Sequence, residues 1–182
     1  MENIANSKGF LGEKASLEVD ECLGLLKKGE AFIMRVATFT DFKKSLEQTF
    51  GSGANVILYV VGRDCGIRSS KRFKQKLGED KTLILEAFQK YKKAEGWGEI
   101  HFNLKPENPT GTIKVYGSFE AKNYGNSNHP VCYFLKGYLE GFLKETLQKE
   151  IKITETKCIA KNDSYCEFTV NENPKQPQTL TF

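Results

Sequence analysis

The stretch Glu155-Thr156-Lys157-Cys158-Ile159-Ala160-Lys161-Asn162-Asp163-Ser164-Tyr165-Cys166-Glu167-Phe168 decides the reading of this chain. Lys161-Asn162-Asp163-Ser164 is a polar turn, because short polar side chains bond to nearby backbone and tolerate tight conformations. It separates Glu150–Ile159 from Tyr165–Val170, so a C-terminal β-hairpin is expected. Cys158 and Cys166 are symmetric about Asn162, and in a regular hairpin they face each other with Cβ atoms about 5 Å apart. Glu155 stands three residues before Cys158, on the opposite face of an ideal strand, unless a bulge turns it round.

Upstream of the hairpin, a helix is expected from His129-Pro130 to about Lys149, with proline in the first turn where its missing N–H costs nothing. Gly137 and Gly141 stand one turn apart on it. Each interior glycine costs a helix about 1 kcal/mol relative to alanine, which points to another backbone packed against them. Cys132, near the start of this helix, can turn toward the hairpin. Ile100, Phe102 and Leu104 alternate with polar residues as in a half-buried strand, and Thr112–Ala121 is a second strand candidate with Ile113, Val115 and Phe119 on one face.

Toward the N-terminus, Lys81–Ala94 has a helical period that stops at Glu95-Gly96-Trp97-Gly98, read as a bend. Ala54–Leu77 is expected to be a long helix, kinked or closely packed near Gly62 and Gly66. Lys71, Arg72, Lys74 and Lys76 on it read as a solvated face. Thr40-Asp41 offers N-caps to a short helix through Phe42, Leu46 and Phe50 that ends at Gly51. The run of Phe, Ile, Met and Val before it suggests a strand near Phe32–Ala37. The tail from Asn171 to Gln178 reads as loose.

The 182 residues suit one domain, 1–182, large enough to bury a core without a metal or disulfides. With 27 Lys and Arg against 23 Asp and Glu, the net charge is only +4 and gives no nucleic-acid signature. The longest apolar run, Val56–Val61, is far short of the ~20 residues of a membrane span. Five cysteines without a charged-then-apolar leader read as reduced, intracellular thiols, and a cytoplasmic location is expected. Cys22 and Cys65 read as small core hydrophobes. Cys132, Cys158 and Cys166 have three readings: buried hydrophobes, a Cys158–Cys166 disulfide, or a closed zinc site.

The segment Cys132-Tyr133-Phe134-Leu135-Lys136-Gly137-Tyr138-Leu139-Glu140-Gly141, with Glu155 to Phe168, resembles the 4-vinyl reductase domain family in the order and spacing of its cysteines. Asn162 stands where the family usually has glycine, a position asparagine also accepts. The segment from Arg35 to Gly66 is similar to the family's helical N-terminal half, so the resemblance spans about 30–171. It implies an α+β fold, a twisted, mainly antiparallel sheet packed with helices, shared with vesicle-tethering TRAPP subunits and nitric-oxide sensors.

In the family's phenol- and xylene-sensing regulators, the equivalent residues bind zinc. The resemblance therefore implies Cys132, Glu155, Cys158 and Cys166 as ligands of a structural Zn²⁺, with Lys157 and Lys161 able to offset the charge. It also implies a small apolar or aromatic ligand in a pocket between sheet and helices, for which Trp97, Phe102, Tyr116, Phe119, Tyr133, Phe134 and Tyr138 are candidates. A homodimer formed through helices and an output partner would complete a sensor. Two rival readings are a tetrapyrrole vinyl reductase and a ligand-free tethering scaffold. For the reductase, Gly51-Ser52-Gly53-Ala54 lacks the third glycine of a dinucleotide motif. His101 and His129 are its acid–base candidates.

Overall fold

A computed structural model describes residues 24–172. After a helical turn at residues 24–27 the elements run α1 (Val36–Phe50), α2 (Gly53–Leu77), α3 (Lys81–Ala94), β1 (Glu99–Asn103), β2 (Gly111–Tyr116), α4 (Phe119–Lys122), α5 (Tyr133–Leu147), β3 (Ile151–Lys157) and β4 (Cys166–Glu172). A 3₁₀ turn at Ile159–Lys161 joins the last two strands. Cys22 and the tail beyond residue 172 lie outside the described residues.

The four strands form one antiparallel sheet in the order β1-β2-β4-β3. This is the α+β architecture expected. Alternation sorts the strands into two faces. Ile100, Ile113, Val115, Ile153, Phe168 and Val170 point into the core, while Lys114, Lys152, Thr154 and Thr169 do not. Against the inner face lie Phe88 of α3 and Phe142 of α5, with ring centroids 4.0 Å apart. Both are fully buried, and truncating either to alanine would cost about 3–5 kcal/mol.

α5 is buried along nearly its whole length because α2 crosses its other side. Four glycines make that crossing possible. A Cβ on Gly62 would strike the Phe134 carbonyl; on Gly66, the Tyr138 carbonyl; on Gly137, the Tyr59 carbonyl; and on Gly141, the Arg63 carbonyl. The close packing expected at these glycines is present, and α2 continues through Gly62 and Gly66 as one helix.

Four boundaries differ from the sequence expectation. Residues 31–35 form no strand, and α1 starts at Val36. Phe39 and the aliphatic part of Lys43 extend the buried helical face upstream, so tertiary packing overrides the strand preference of the Phe-Ile-Met run. Thr40 is consequently inside the helix, where its hydroxyl donates to the Val36 carbonyl at 3.0 Å and caps nothing. Gly51 does close α1, at φ 56°.

β2 stops at Tyr116, and Gly117 at φ 65° turns the chain so that Phe119 belongs to α4 and not to the strand face. α5 starts at Tyr133 rather than at Pro130. Ser127 braces the preceding turn by donating to the His129 carbonyl at 2.8 Å and accepting its N–H at 3.2 Å. Finally, β3 ends at Lys157 and β4 begins at Cys166, which leaves both hairpin cysteines at the turn end of the sheet.

Candidate metal centre and adjoining cavity

Three separate elements supply the cluster. Cys132 is the N-cap of α5, Cys158 follows β3, and Cys166 opens β4 beside Val115 of β2. The Cys132 and Cys166 sulfurs are 3.6 Å apart, and Cys166 donates to Cys158 across 4.0 Å. A tetrahedral ion with zinc–sulfur bonds of about 2.3 Å spaces its sulfurs about 3.8 Å apart. All three thiols are fully buried.

Glu155 completes the group because β3 has the bulge that the spacing required. Glu155 pairs with Phe168 but Lys157 pairs with Glu167, so the register shifts at Thr156 and the carboxylate turns to the cysteine face. The ligand atoms of Cys132, Glu155, Cys158 and Cys166 lie within 4.8 Å of one another, and the four could hold a metal ion. Glu155 Oε2 accepts the Cys132 N–H at 2.9 Å, while its buried Oε1 has no protein partner. An unpaired carboxylate oxygen beside three thiols is a poor arrangement for an apolar core and a good one for a cation.

Electrostatics points the same way. Burial pushes the Cys132 thiol well up, and burial with the nearby Cys158 charge pushes Glu155 up to about 8. Cys158 is drawn down because it accepts hydrogen bonds, first from Cys132 and then from Cys166. Cys166 feels an opposing pull from Cys132 but ends up raised by its bond to Cys158 and by burial. The protein groups alone thus hold one thiolate and keep protons on the rest. A divalent cation would displace those protons and bind all four groups.

The turn supports these positions. Asn162 takes the left-handed conformation at φ 67°, as its place in the turn requires. The Asp163 carboxylate accepts the Cys158 N–H at 2.8 Å, and the Ile159 N–H points at the Cys166 sulfur at 3.4 Å. Lys157, expected to offset the charge, is directed instead toward the Tyr165 hydroxyl at 3.1 Å and Glu167 at 3.7 Å. Lys161 is exposed. The buried cation beside the cluster is Lys43 of α1, which donates to the Val131 carbonyl and pairs with Glu120 at 3.0 Å, both side chains 0% exposed. Glu120 in turn accepts the Phe134 and Leu135 N–H groups at 3.1 and 2.8 Å, so a distant carboxylate caps α5. Nothing local in the sequence marks Lys43 or Glu120 for these roles, since they are far apart in the chain.

A cavity of about 480 Å³ lies beside this helix start. Its wall comes from residues 25–39, the end of α3 with the following bend, and the first residues of α4 and α5. No strand residue contributes, so the cavity sits among helices and the leading segment rather than between sheet and helices. Of the seven aromatic candidates, Trp97, Phe119 and Phe134 line it. Tyr138 stands behind Trp97 with ring centroids 4.7 Å apart. Phe102 packs on Phe88, Tyr133 lies near Lys136 and Lys43, and Tyr116 stacks near Tyr165, 43% exposed. Phe39 and Tyr91 are lining residues that the sequence reading missed. The cavity adjoins the cluster through two short paths. Phe119 follows Ser118, whose hydroxyl is 3.6 Å from the Cys132 sulfur, and Phe134 follows Cys132 by two residues.

The class is an α+β domain with a four-residue cluster that could hold a metal ion, next to an aromatic-lined cavity. Residues 112–172, from β2 to β4 and including all four clustered residues, match the model of the 4-vinyl reductase domain. An uncharacterized protein of Methanocaldococcus jannaschii, MJ0150, is 30% identical over 127 residues, covering 70% of each chain. The chain belongs to the 4-vinyl reductase domain family. Its fold is similar to that of the phenol-responsive sensory domain of the transcription activator PoxR, solved with phenol, at TM-score 0.68 and 20% identity over 81% of this chain and 79% of that one. It is also similar to a trafficking protein particle complex subunit 3 from Naegleria fowleri covalently bound to palmitic acid, at TM-score 0.55 and 14% identity over 76% and 92%. Among the described residues no helix is long and apolar enough to cross a membrane.

Proposed function

We propose that this chain is a zinc-containing sensor-type domain that takes up a small apolar or aromatic molecule in the cavity bounded by Trp97, Phe119 and Phe134. The observation that carries the proposal is the joining of two sites at one helix start. Cys132 belongs to the cluster and Phe134, two residues on, belongs to the cavity wall. The binding of phenol by the PoxR sensory domain, which has the same fold, supports a small-molecule role.

Zinc in this reading is structural. Cys132, Cys158 and Cys166 supply thiolates and Glu155 one oxygen, leaving no position for a reacting water. The ion would tie α5 to the hairpin, and Lys43, already bonded at Val131, would offset part of the negative charge. Occupation of the cavity then bears on the same helix start through Phe134.

A homodimer fits this reading. Val56, Ile57, Val60 and Val61 form an exposed apolar row on α2, with Phe42 and Phe50 exposed on α1. Contiguous patches of this kind mark interaction surfaces. Elemental analysis and native mass spectrometry of the purified protein test the whole. We expect one zinc per chain, a retained small molecule or saturable uptake of toluene, and a dimer. A metal-free protein that takes up no apolar probe would overturn the reading.

A further inference from the structure

Among the described residues that line the cavity, one is charged, Glu95. Its carboxylate is gripped by Lys92 at 2.6 Å, and the two side chains are 26% and 4% exposed. Lys92 is therefore a buried ammonium. It lies 4.0 Å from the Trp97 ring centroid and 4.7 Å from that of Tyr138, with Tyr91 and Phe88 at 5.5 and 5.9 Å. The bend makes this arrangement. The Trp97 N–H donates to the Lys92 carbonyl at 3.0 Å, and Gly96 at φ 78° folds the indole back over the lysine. Trp97 thus has Lys92 against its ring and also forms part of the cavity wall.

Lys92, a cation in the last turn of α3, suits the backbone dipole, but Glu95 does not. Glu95 is the C-cap of α3, the end of a helix where a carboxylate is disfavoured by the backbone dipole. Glu95 is also partly solvated, and an ion pair with such a partner adds little to stability. Stability thus gives little reason for Glu95, and its place in the wall of an apolar cavity offers another use.

Resting on the cavity reading above, we propose that Lys92 and Glu95 select the ligand's head group, favouring an uncharged molecule with an apolar body and a hydroxyl donor. The pair is neutral as a unit. A hydroxyl can donate to the Glu95 carboxylate, and hydrogen bonds to an ionised acceptor are about twice as strong as neutral ones. A carboxylate ligand would meet Glu95 with like charge. An ammonium ligand would compete with Lys92, which already holds the carboxylate.

The test uses 1-octanol, octanoate and octylammonium, which share one tail, with toluene as a probe lacking a head group. Trp97 is the chain's only tryptophan, so its fluorescence reports on the cavity wall directly. Wild-type protein should bind octanol at least tenfold more tightly than either ion. Glu95→Gln leaves Lys92 uncompensated and should shift preference tenfold or more toward octanoate. Lys92→Met should shift it toward octylammonium. If either single variant fails to fold, Lys92→Met/Glu95→Gln carries the test: it should lose head-group preference among the three eight-carbon probes. Toluene uptake with less than twofold discrimination among the three head groups, or unchanged preference in the variants, would overturn this proposal and leave the cavity reading standing. Failure of all four probes to perturb Trp97 would overturn both.

Discussion

Lys43–Glu120 and Lys92–Glu95 both pair a buried lysine with a glutamate, yet they differ in the exposure of the glutamate and in what completes their bonding. Lys43 and Glu120 are wholly enclosed, and their remaining capacity goes to backbone: the Val131 carbonyl on one side, the Phe134 and Leu135 N–H groups on the other. Lys92 is surrounded by aromatic rings, and Glu95 opens onto the cavity. The first pair holds the start of α5 in place beside the thiol cluster. In the reading proposed above, the second offers a ligand the remaining bonding capacity of its carboxylate. A buried charge saturated by the protein is part of the scaffold, whereas a partly exposed charge in a cavity wall suits the recognition proposed above.

The strongest test of that contrast is Lys43→Met. It leaves the Glu120 carboxylate buried without its cation, and removing one partner of a buried pair typically costs about 3–5 kcal/mol. Burial already raises Glu120 despite the opposing pull of Lys43. We expect a large fall in the urea midpoint; a change below about 1 kcal/mol would mean that the pair does not hold α5.

Cys158→Ala should come next. It should release the metal and lower the melting temperature by as much as chelation lowers that of the wild type. Its effect should be non-additive with Lys43→Met, because both act at the α5 start, and additive with Lys92→Met. Equal metal content in the variant and the wild type by elemental analysis would remove the cluster from the comparison.

pH sharpens the picture at the cluster. Cys132, Cys166 and Glu155 are raised and keep their protons, while Cys158 is lowered and does not. Binding by all four groups must then expel about three protons below pH 8, and about two above it, where Glu155 has ionised. Zinc affinity should therefore rise steeply with pH and less steeply past about 8. Competition with a chelator between pH 6 and 9 measures this, and a flat profile would contradict ligation by the raised groups. Without metal, a raised Glu155 favours the folded state toward low pH, and a lowered Cys158 favours it toward high pH. The two oppose each other from about 4.5 to 8, so the chelated protein should show little pH dependence from this pair.

The smallest effect on stability belongs to Lys92→Met/Glu95→Gln. Glu95 is partly solvated, so neutralising both should change stability by about 1 kcal/mol or less in urea denaturation. A loss as large as that of Lys43→Met would erase the distinction between the pairs.

Much of the C-terminal half was legible in the sequence, because its information is local. Strand alternation, a polar turn around Asn162 and glycines one helical turn apart specify the hairpin and the α2–α5 crossing without reference to distant residues. The four clustered residues were legible as a set through family resemblance. The N-terminal part was harder to read. Phe32, Ile33 and Met34 have the composition of a strand, but no strand pairs with them, and packing of Phe39 on Phe119 and Phe134 extends α1 instead. That error hid much of the cavity wall.

The sequence by itself determined which groups are present, their order, and the local periods that form the hairpin and the helices. Tertiary structure decided which of them act together. A register shift at Thr156 turned Glu155 to the thiols, and chain crossings buried Lys43 against Glu120. A glycine bend placed Trp97 over Lys92. The physical reason is that periodicity fixes only the face on which a side chain emerges. Desolvation, charge pairing and metal-ligand convergence depend on distances between segments far apart in the chain, and those exist only once the chain has folded.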